Sequence, residues 1–224
     1  MRLSQTRMFR SDESLAGHRA QQRLRLAALT AFLAFGLAGC GSSKPVKYYQ
    51  LTPPATTLAS SPAGIDAVIL VRLFQTSHLY REDRIVYGTG TQELGLYESN
   101  RWAQPPSELL QDALARGLRA SGQFSRVTTM RSDAAIDYYL TGHLYSFREI
   151  TGGNVSARLS FDVDLVDLKR GRSIWRHTYD HDEACTGKGV GDVVAAMDRN
   201  VQSSVQEIQN GIVQAISNYH PQPQ

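Results

Sequence analysis

Apolar residues fall into three patterns along this chain, and each predicts a different element. The first is a run over residues 26–37 that is almost entirely Ala, Leu and Phe. Ahead of it lie Arg2, Arg7, Arg10, Arg19, Arg23 and Arg25, and behind it the small residues Ala38 and Gly39. That order of charge, apolar run and small residues is the order of a secretory signal. The run is about a dozen residues long, short of the roughly 20 that cross a bilayer as a helix, so it predicts no permanent span.

The second pattern is β-like. Residues 47–51 read as a short strand. Residues 65–74 (IDAVILVRLF) form a dense aliphatic run bounded by turn residues, which predicts a central strand buried on both faces. Residues 84–87 and 93–97 flank a short Gly-containing loop and predict a hairpin. A short strand over 124–130 is followed by three longer ones over 136–150, 154–168 and 173–183. Gly152-Gly153 and residues 169–172 supply the turns. In the middle strand Leu159, Phe161, Val163 and Leu165 alternate with Ser160, Asp162, Asp164 and Val166. This predicts an antiparallel meander with one apolar face and one wet or partner-facing side.

The third pattern is helical. Pro105 and Pro106 open a segment in which Leu109, Leu110, Ala113, Leu114, Gly117 and Leu118 recur at helical spacing, and Gly122 suits its cap. From residue 190 to 219, apolar side chains fall at 190, 194, 197, 201, 205, 208, 212, 216 and 219, a single stripe opposite Gln, Ser, Asn and Asp. Thirty residues at ~1.5 Å each make a helix about 45 Å long, enough to lie across a sheet. Together these elements predict an α+β fold, a mostly antiparallel sheet with two main helices packed on one face. The organisation expected is a signal over 1–39, an N-terminal strand and Pro/Thr/Ser-rich linker over 40–64, and a domain over 65–224.

Charge changes the picture once the signal is set aside. The chain carries +3 overall, but residues 1–39 hold six arginines against Asp12 and Glu13, so residues 40–224 carry −1. The basic balance therefore leaves with the leader, and no exposed basic tract argues for nucleic acid. The chain has two cysteines, Cys40 and Cys185. Cys40 directly follows Leu37-Ala38-Gly39, and this four-residue stretch resembles the lipobox of bacterial lipoproteins. In that motif the thiol receives a diacylglyceryl group and the chain is cut just before it. Cys40 is thus the expected lipidation site, and it leaves Cys185 without a disulfide partner. Gly41 stands where lipoproteins retained at the inner membrane usually carry Asp, which by resemblance favours the outer membrane.

Candidate chemistry is thin. His177, His181 and Cys185 have the residue types of a metal site, but on a strand they point the same way at steps of four, each about 13 Å from the next at ~3.3 Å per residue. Zinc needs donors at ~2.0–2.3 Å, so these three do not converge on one ion, and no metal is expected. The Gly187-Lys188-Gly189-Val190-Gly191-Asp192 loop has Asp192 in place of a third glycine and lacks a P-loop Lys-Ser/Thr. It reads as a loop leading into a helix. No nucleophile elbow or zincin motif occurs, so neither an enzyme nor a cofactor is expected. Tyr80, Tyr87, Tyr97 and Trp102 gather beside Pro105 and Pro106, as core aromatics or as a partner or lipid surface. Tyr87, Tyr97, Trp102, Pro105 and Pro106 are the candidate partner- or lipid-binding residues.

An ordered set of short motifs then resembles one family. Tyr49-Gln50-Leu51 comes soon after the cysteine, followed by Arg84-Ile85-Val86-Tyr87, Leu96-Tyr97 and Arg101-Trp102-Ala103-Gln104-Pro105-Pro106. After these come the leucines 109, 110, 114 and 118, then Ser121-Gly122, Phe124 and Val127. The set is similar to the ABC-type transport auxiliary lipoproteins. Gly88 stands where relatives often have Arg, and Gln104 where they often have Glu. The resemblance implies a non-enzymatic lipoprotein held at the periplasmic face of the outer membrane. There it would dock the mammalian-cell-entry (MCE) domain protein of an ABC lipid transporter, and self-association into a homo-oligomer is left open. A scaffold that positions or activates a peptidoglycan or secretion machine is the alternative.

Overall fold

The computed structural model describes residues 44–52, 64–90, 92–130 and 135–219. The signal, Cys40 and the linker expected between the first two strands lie outside the described residues. The unit from Pro45 onward carries everything that follows. In chain order its elements are β1 (Lys47–Tyr49), β2 (Ile65–Val71), β3 (Gln75–Thr76), a 3-10 turn (His78–Tyr80), β4 (Arg84–Gly88) and β5 (Gly95–Trp102). Then come α1 (Pro106–Ala120), β6 (Phe124–Thr128), β7 (Tyr138–Ile150), β8 (Ser156–Asp167), β9 (Arg172–Ala184) and α2 (Val190–Asn218).

The sheet is built on β7. One edge runs antiparallel along β8, and β8 in turn along β9, which makes the expected meander. Gly171, at φ +62°, turns β8 into β9. The other edge of β7 is shared by three short strands, all parallel to it. β2 lies beside Tyr138–Leu140, β3 beside His143 and Leu144, and β4 beside Arg148–Ile150. β6 extends the sheet beyond β2, while β5 and then β1 extend it beyond β4. The longest pairings are antiparallel and the short strands join in parallel, so the nine-stranded sheet is mixed and the fold is α+β.

Both helices cover one face. The inward residues of β7, β8 and β9, among them Leu140, Leu144, Phe147, Leu159, Phe161, Val163, Leu165 and Tyr179, form the core floor. Leu109, Leu110, Ala113, Leu114 and Leu118 of α1 are buried as their spacing predicts. The backbone turns past α1 at Gly122, φ +62°. On α2 the buried face is wider than one apolar stripe. It comprises Val193, Ala196, Met197, Asn200, Val201, Ser204, Val205, Ile208 and Ile212. Asn200 and Ser204, which the spacing puts on the polar face, are fully buried. Helix α2 lies over β8 and β9 and also beside α1, so its buried arc takes in two neighbouring rows.

The sheet's second face is less wet than its acids suggest. Asp162 accepts the His143 main-chain N–H at 2.7 Å and the Tyr145 hydroxyl at 2.6 Å. Asp164 accepts from Ser173 Oγ and from Arg176 Nε. Both carboxylates are half-buried and committed to neighbouring side chains rather than fully solvated.

Candidate functional site

Three places in the fold bear on function, beginning with the corner where the β4–β5 hairpin runs into α1. Trp102, the last residue of β5, is 1% exposed and packs edge-on against Phe147 with ring centroids 5.2 Å apart. Its main-chain N–H donates to Asp83 O, and the next N–H, of Ala103, donates to Tyr49 O, each at 2.6 Å. Pro106 is buried, and the Pro105 carbonyl accepts from Glu108 and Leu109 to open α1. The Trp-Ala-Gln-Pro-Pro segment is therefore a hinge of fixed geometry that ties β1, the hairpin and the helix together.

Tyr87 and Tyr97 lie farther along the hairpin, toward its loop end and away from this hinge, with ring centroids 4.8 Å apart. Tyr87 faces Gly95 across the hairpin, and a Cβ there would run into the Tyr87 ring. The glycine thus lets the ring lie flat over β5. The Tyr97 hydroxyl donates to Glu149 Oε2 at 2.8 Å. Burial, together with that carboxylate, pushes the Tyr97 phenol well above its ordinary range. Of the five candidate binding residues, Trp102 and Pro106 are interior. Tyr87, Tyr97 and Pro105 are half-buried and keep some surface, and Ala103 and Gln104 beside Pro105 are exposed.

The second place is a groove of about 510 Å³ between α1 and α2, with Leu51 and Thr52 at its rim. Ala113 and Gly117 of α1 and Val201 and Val205 of α2 form its apolar wall, and Gln202, Gln206 and Gln209 line its edge. The helices cross closely because residue 117 has no side chain: a Cβ there would overlap Val205 Cγ1. The Thr52 N–H donates to Asp198 Oδ1 at 2.9 Å and fastens the first segment of the chain to α2. In the sequence this groove leaves only Gln202, Gln206 and Gln209 along one side of α2, with nothing to say that they face small residues on α1.

The third place is the end of β9. The segment holding His177 and His181 is a strand, which keeps the two apart. His177 Nε2 lies 2.6 Å from Glu207 Oε1, and its ring stacks on Trp175. His181 is 3.6 Å from Glu183. Cys185 is a free, half-buried thiol whose pKa burial, then the nearby Glu149 carboxylate, pushes up. Among the described residues no group of three or more His, Cys, Asp or Glu is arranged to hold a metal ion. In the glycine-rich loop Asp192 accepts from the Gly189 N–H at 3.0 Å and from Thr186 Oγ1 at 3.2 Å. Its carboxylate occupies the place at the start of α2 that a phosphate would need.

Asn200 is one of the two polar residues, with Ser204, that spacing alone misplaced. Its Nδ2 donates to Ala157 O at 2.9 Å and His181 O at 3.1 Å, and its Oδ1 accepts from Tyr179 Oη at 2.7 Å. It stitches α2 to both β8 and β9. A lone Asn in a helix stripe flanked by Met197 and Val201 was the available signal.

Fold and site together define a helix-covered mixed sheet with a groove lined by apolar side chains, glutamines and Asp198, and a locked aromatic hinge. The fold is similar to that of protein XCC0632 from Xanthomonas campestris. That structure is 18% identical, with 76% of this chain and 97% of that chain covered, at a TM-score of 0.66. A crystal structure of an uncharacterized protein is similar at 15% identity, 75% and 99% coverage and a TM-score of 0.62. No curated protein matches the chain by sequence. The family model for the ABC-type transport auxiliary lipoprotein component matches residues 49–209, from β1 to the second half of α2. The chain belongs to that family, a family of transport-associated lipoproteins.

Proposed function

We propose that this chain is a non-enzymatic, lipid-anchored component of an MCE-type ABC lipid transport system, holding the periplasmic conduit at the outer membrane. Diacylglycerylated Cys40 is the anchor, at ~0.8 kcal/mol per buried methylene, and Gly41 directs it outward. The observation that carries the reading is the family match, which spans the hinge, the sheet and the groove in one unit. The half-buried Tyr87 and Tyr97, toward the loop end of the hairpin, and Pro105, at its helix end, are the proposed partner-facing residues, with Trp102 and Pro106 fixing the backbone beside Pro105. Hot spots of this kind are aromatic side chains held in place by their neighbours.

Photo-crosslinking in intact cells tests this reading. A photoreactive phenylalanine at Tyr87 or Gln104 is expected to capture an MCE-domain protein. The same group at Tyr145, on the helix-free face of the sheet, is expected to capture it far less. Capture of a peptidoglycan synthase or a secretion component instead would transfer the assignment to an envelope scaffold.

A further inference from the structure

We propose that β1 rests on the lipid leaflet that holds the anchor, with Val46 and Tyr48 entering the boundary between headgroups and acyl chains. This placement rests on the reading that Cys40 carries the anchor. Val46 follows Cys40 by six residues and Tyr48 by eight. A fully extended chain advances at most ~3.6 Å per residue, which keeps Val46 within about 22 Å of an anchored Cys40 and Tyr48 within about 29 Å. No path of the residues between them can carry the start of β1 farther from the membrane.

The side chains offered there suit lipid. Val46, just before β1, is 45% exposed and Tyr48 is 64% exposed. Alternation along the strand turns Tyr49 toward the core, where its Oη donates to Asn100 Oδ1 at 3.2 Å, and turns Val46 and Tyr48 to the opposite face. A tyrosine in that position puts its ring at the apolar boundary and keeps its hydroxyl among the headgroups. Arg101 lies opposite Tyr48 in the ladder, and Arg84 opposite Arg101, so all three share a face. Both guanidinium groups are answered within the chain, Arg101 by Asp83 at 2.6 Å and Arg84 by Glu82 at 2.7 Å. This face therefore calls for no charged partner, which favours the bilayer boundary over an acidic polypeptide. Two side chains hold a membrane weakly by themselves, but the anchor makes their contact intramolecular, so they need only orient the body.

β1 passes that orientation on. The Ala103 N–H donates to Tyr49 O at 2.6 Å, Leu51 is buried, and the Thr52 N–H donates to Asp198 Oδ1 at 2.9 Å. The strand is thus fastened to the Trp102 hinge and to α2. A strand resting on lipid sets both at one angle to the membrane.

Tryptophan quenching reads the contact, with the full lipidated chain in phosphatidylethanolamine vesicles containing phosphatidylcholine brominated on its acyl chains. Relative to wild type, Tyr48→Trp and Val46→Trp are expected to emit farther to the blue and to lose fluorescence to the bromines. Leu168→Trp, just past β8 on the far side of β7, is expected to lose none. Raising the salt concentration is expected to leave the losses unchanged, and adding Tyr48→Asp to Val46→Trp to abolish them. In an acylated, vesicle-bound chain, no quenching at either position would overturn the placement and leave the anchor standing. Equal quenching at residue 168, or a loss that vanishes in salt, would do the same. An intact mass without acyl chains would overturn the anchor, and the placement with it.

Discussion

Asn200 shows how much one buried amide holds in place. It serves two carbonyls and a tyrosine hydroxyl at once, so truncation leaves several buried polar groups short of a partner. Asn200→Ala is expected to lower stability by about 2–3 kcal/mol in urea denaturation. Asp137 supplies a pH handle. Burial acts to raise its pKa, but the Val68 N–H and the Lys169 ammonium overcome this and hold the carboxyl below the ordinary Asp range. A depressed acid stabilises the fold above its unfolded pKa, and that contribution is lost as pH falls through the folded value. Stability should therefore drop as pH falls below about 4, and Asp137→Asn should lose part of that drop in acid titrations followed by circular dichroism. Cys185, half-buried with its pKa raised, should react with iodoacetamide at neutral pH more slowly than a free thiol. Fast alkylation of the folded chain would contradict its placement.

Among the elements, those with a local signature were legible and those set by long-range pairing were not. The helices announced themselves through Pro105, Pro106, Gly122 and the 3–4 spacing of apolar residues. The β7–β8–β9 meander did so through alternation and its glycine turns. The insertion of β2, β3 and β4 end to end along one edge of β7 left no trace, because a parallel register is not fixed by any turn. The groove between the helices was hidden for a related reason. Gly117 reads as a weak helix residue until Val205 is placed against it. Gly→Ala inside a helix normally stabilises by up to about 1 kcal/mol. Here Gly117→Ala is expected to destabilise by about 1–3 kcal/mol through overpacking, and adding Val205→Ala should recover most of the loss. A double-mutant cycle measures that coupling, and strict additivity would contradict the close crossing.

At the scale of the whole molecule, the candidate surface was only partly legible. The aromatic and proline cluster was visible in the sequence. The structure then divided it in place as well as in burial: Tyr87 and Tyr97 are half-buried toward the loop end of the hairpin, and Trp102 and Pro106 are buried with half-buried Pro105 at the end that enters α1. Composition cannot make that division, because an aromatic run has the same spacing whether it faces a core or a partner. In the proposed arrangement the anchor and the body have separate tasks: Cys40 would hold the membrane, and the sheet and helices would present the docking surfaces.

Density-gradient separation of inner and outer membranes, comparing wild type with Cys40→Ser, tests the tether most directly. Anchoring through Cys40 predicts wild type in the outer-membrane band at its processed mass, with the serine variant absent from that band. Finding Cys40→Ser beside wild type in that band, at the same mass, would contradict it.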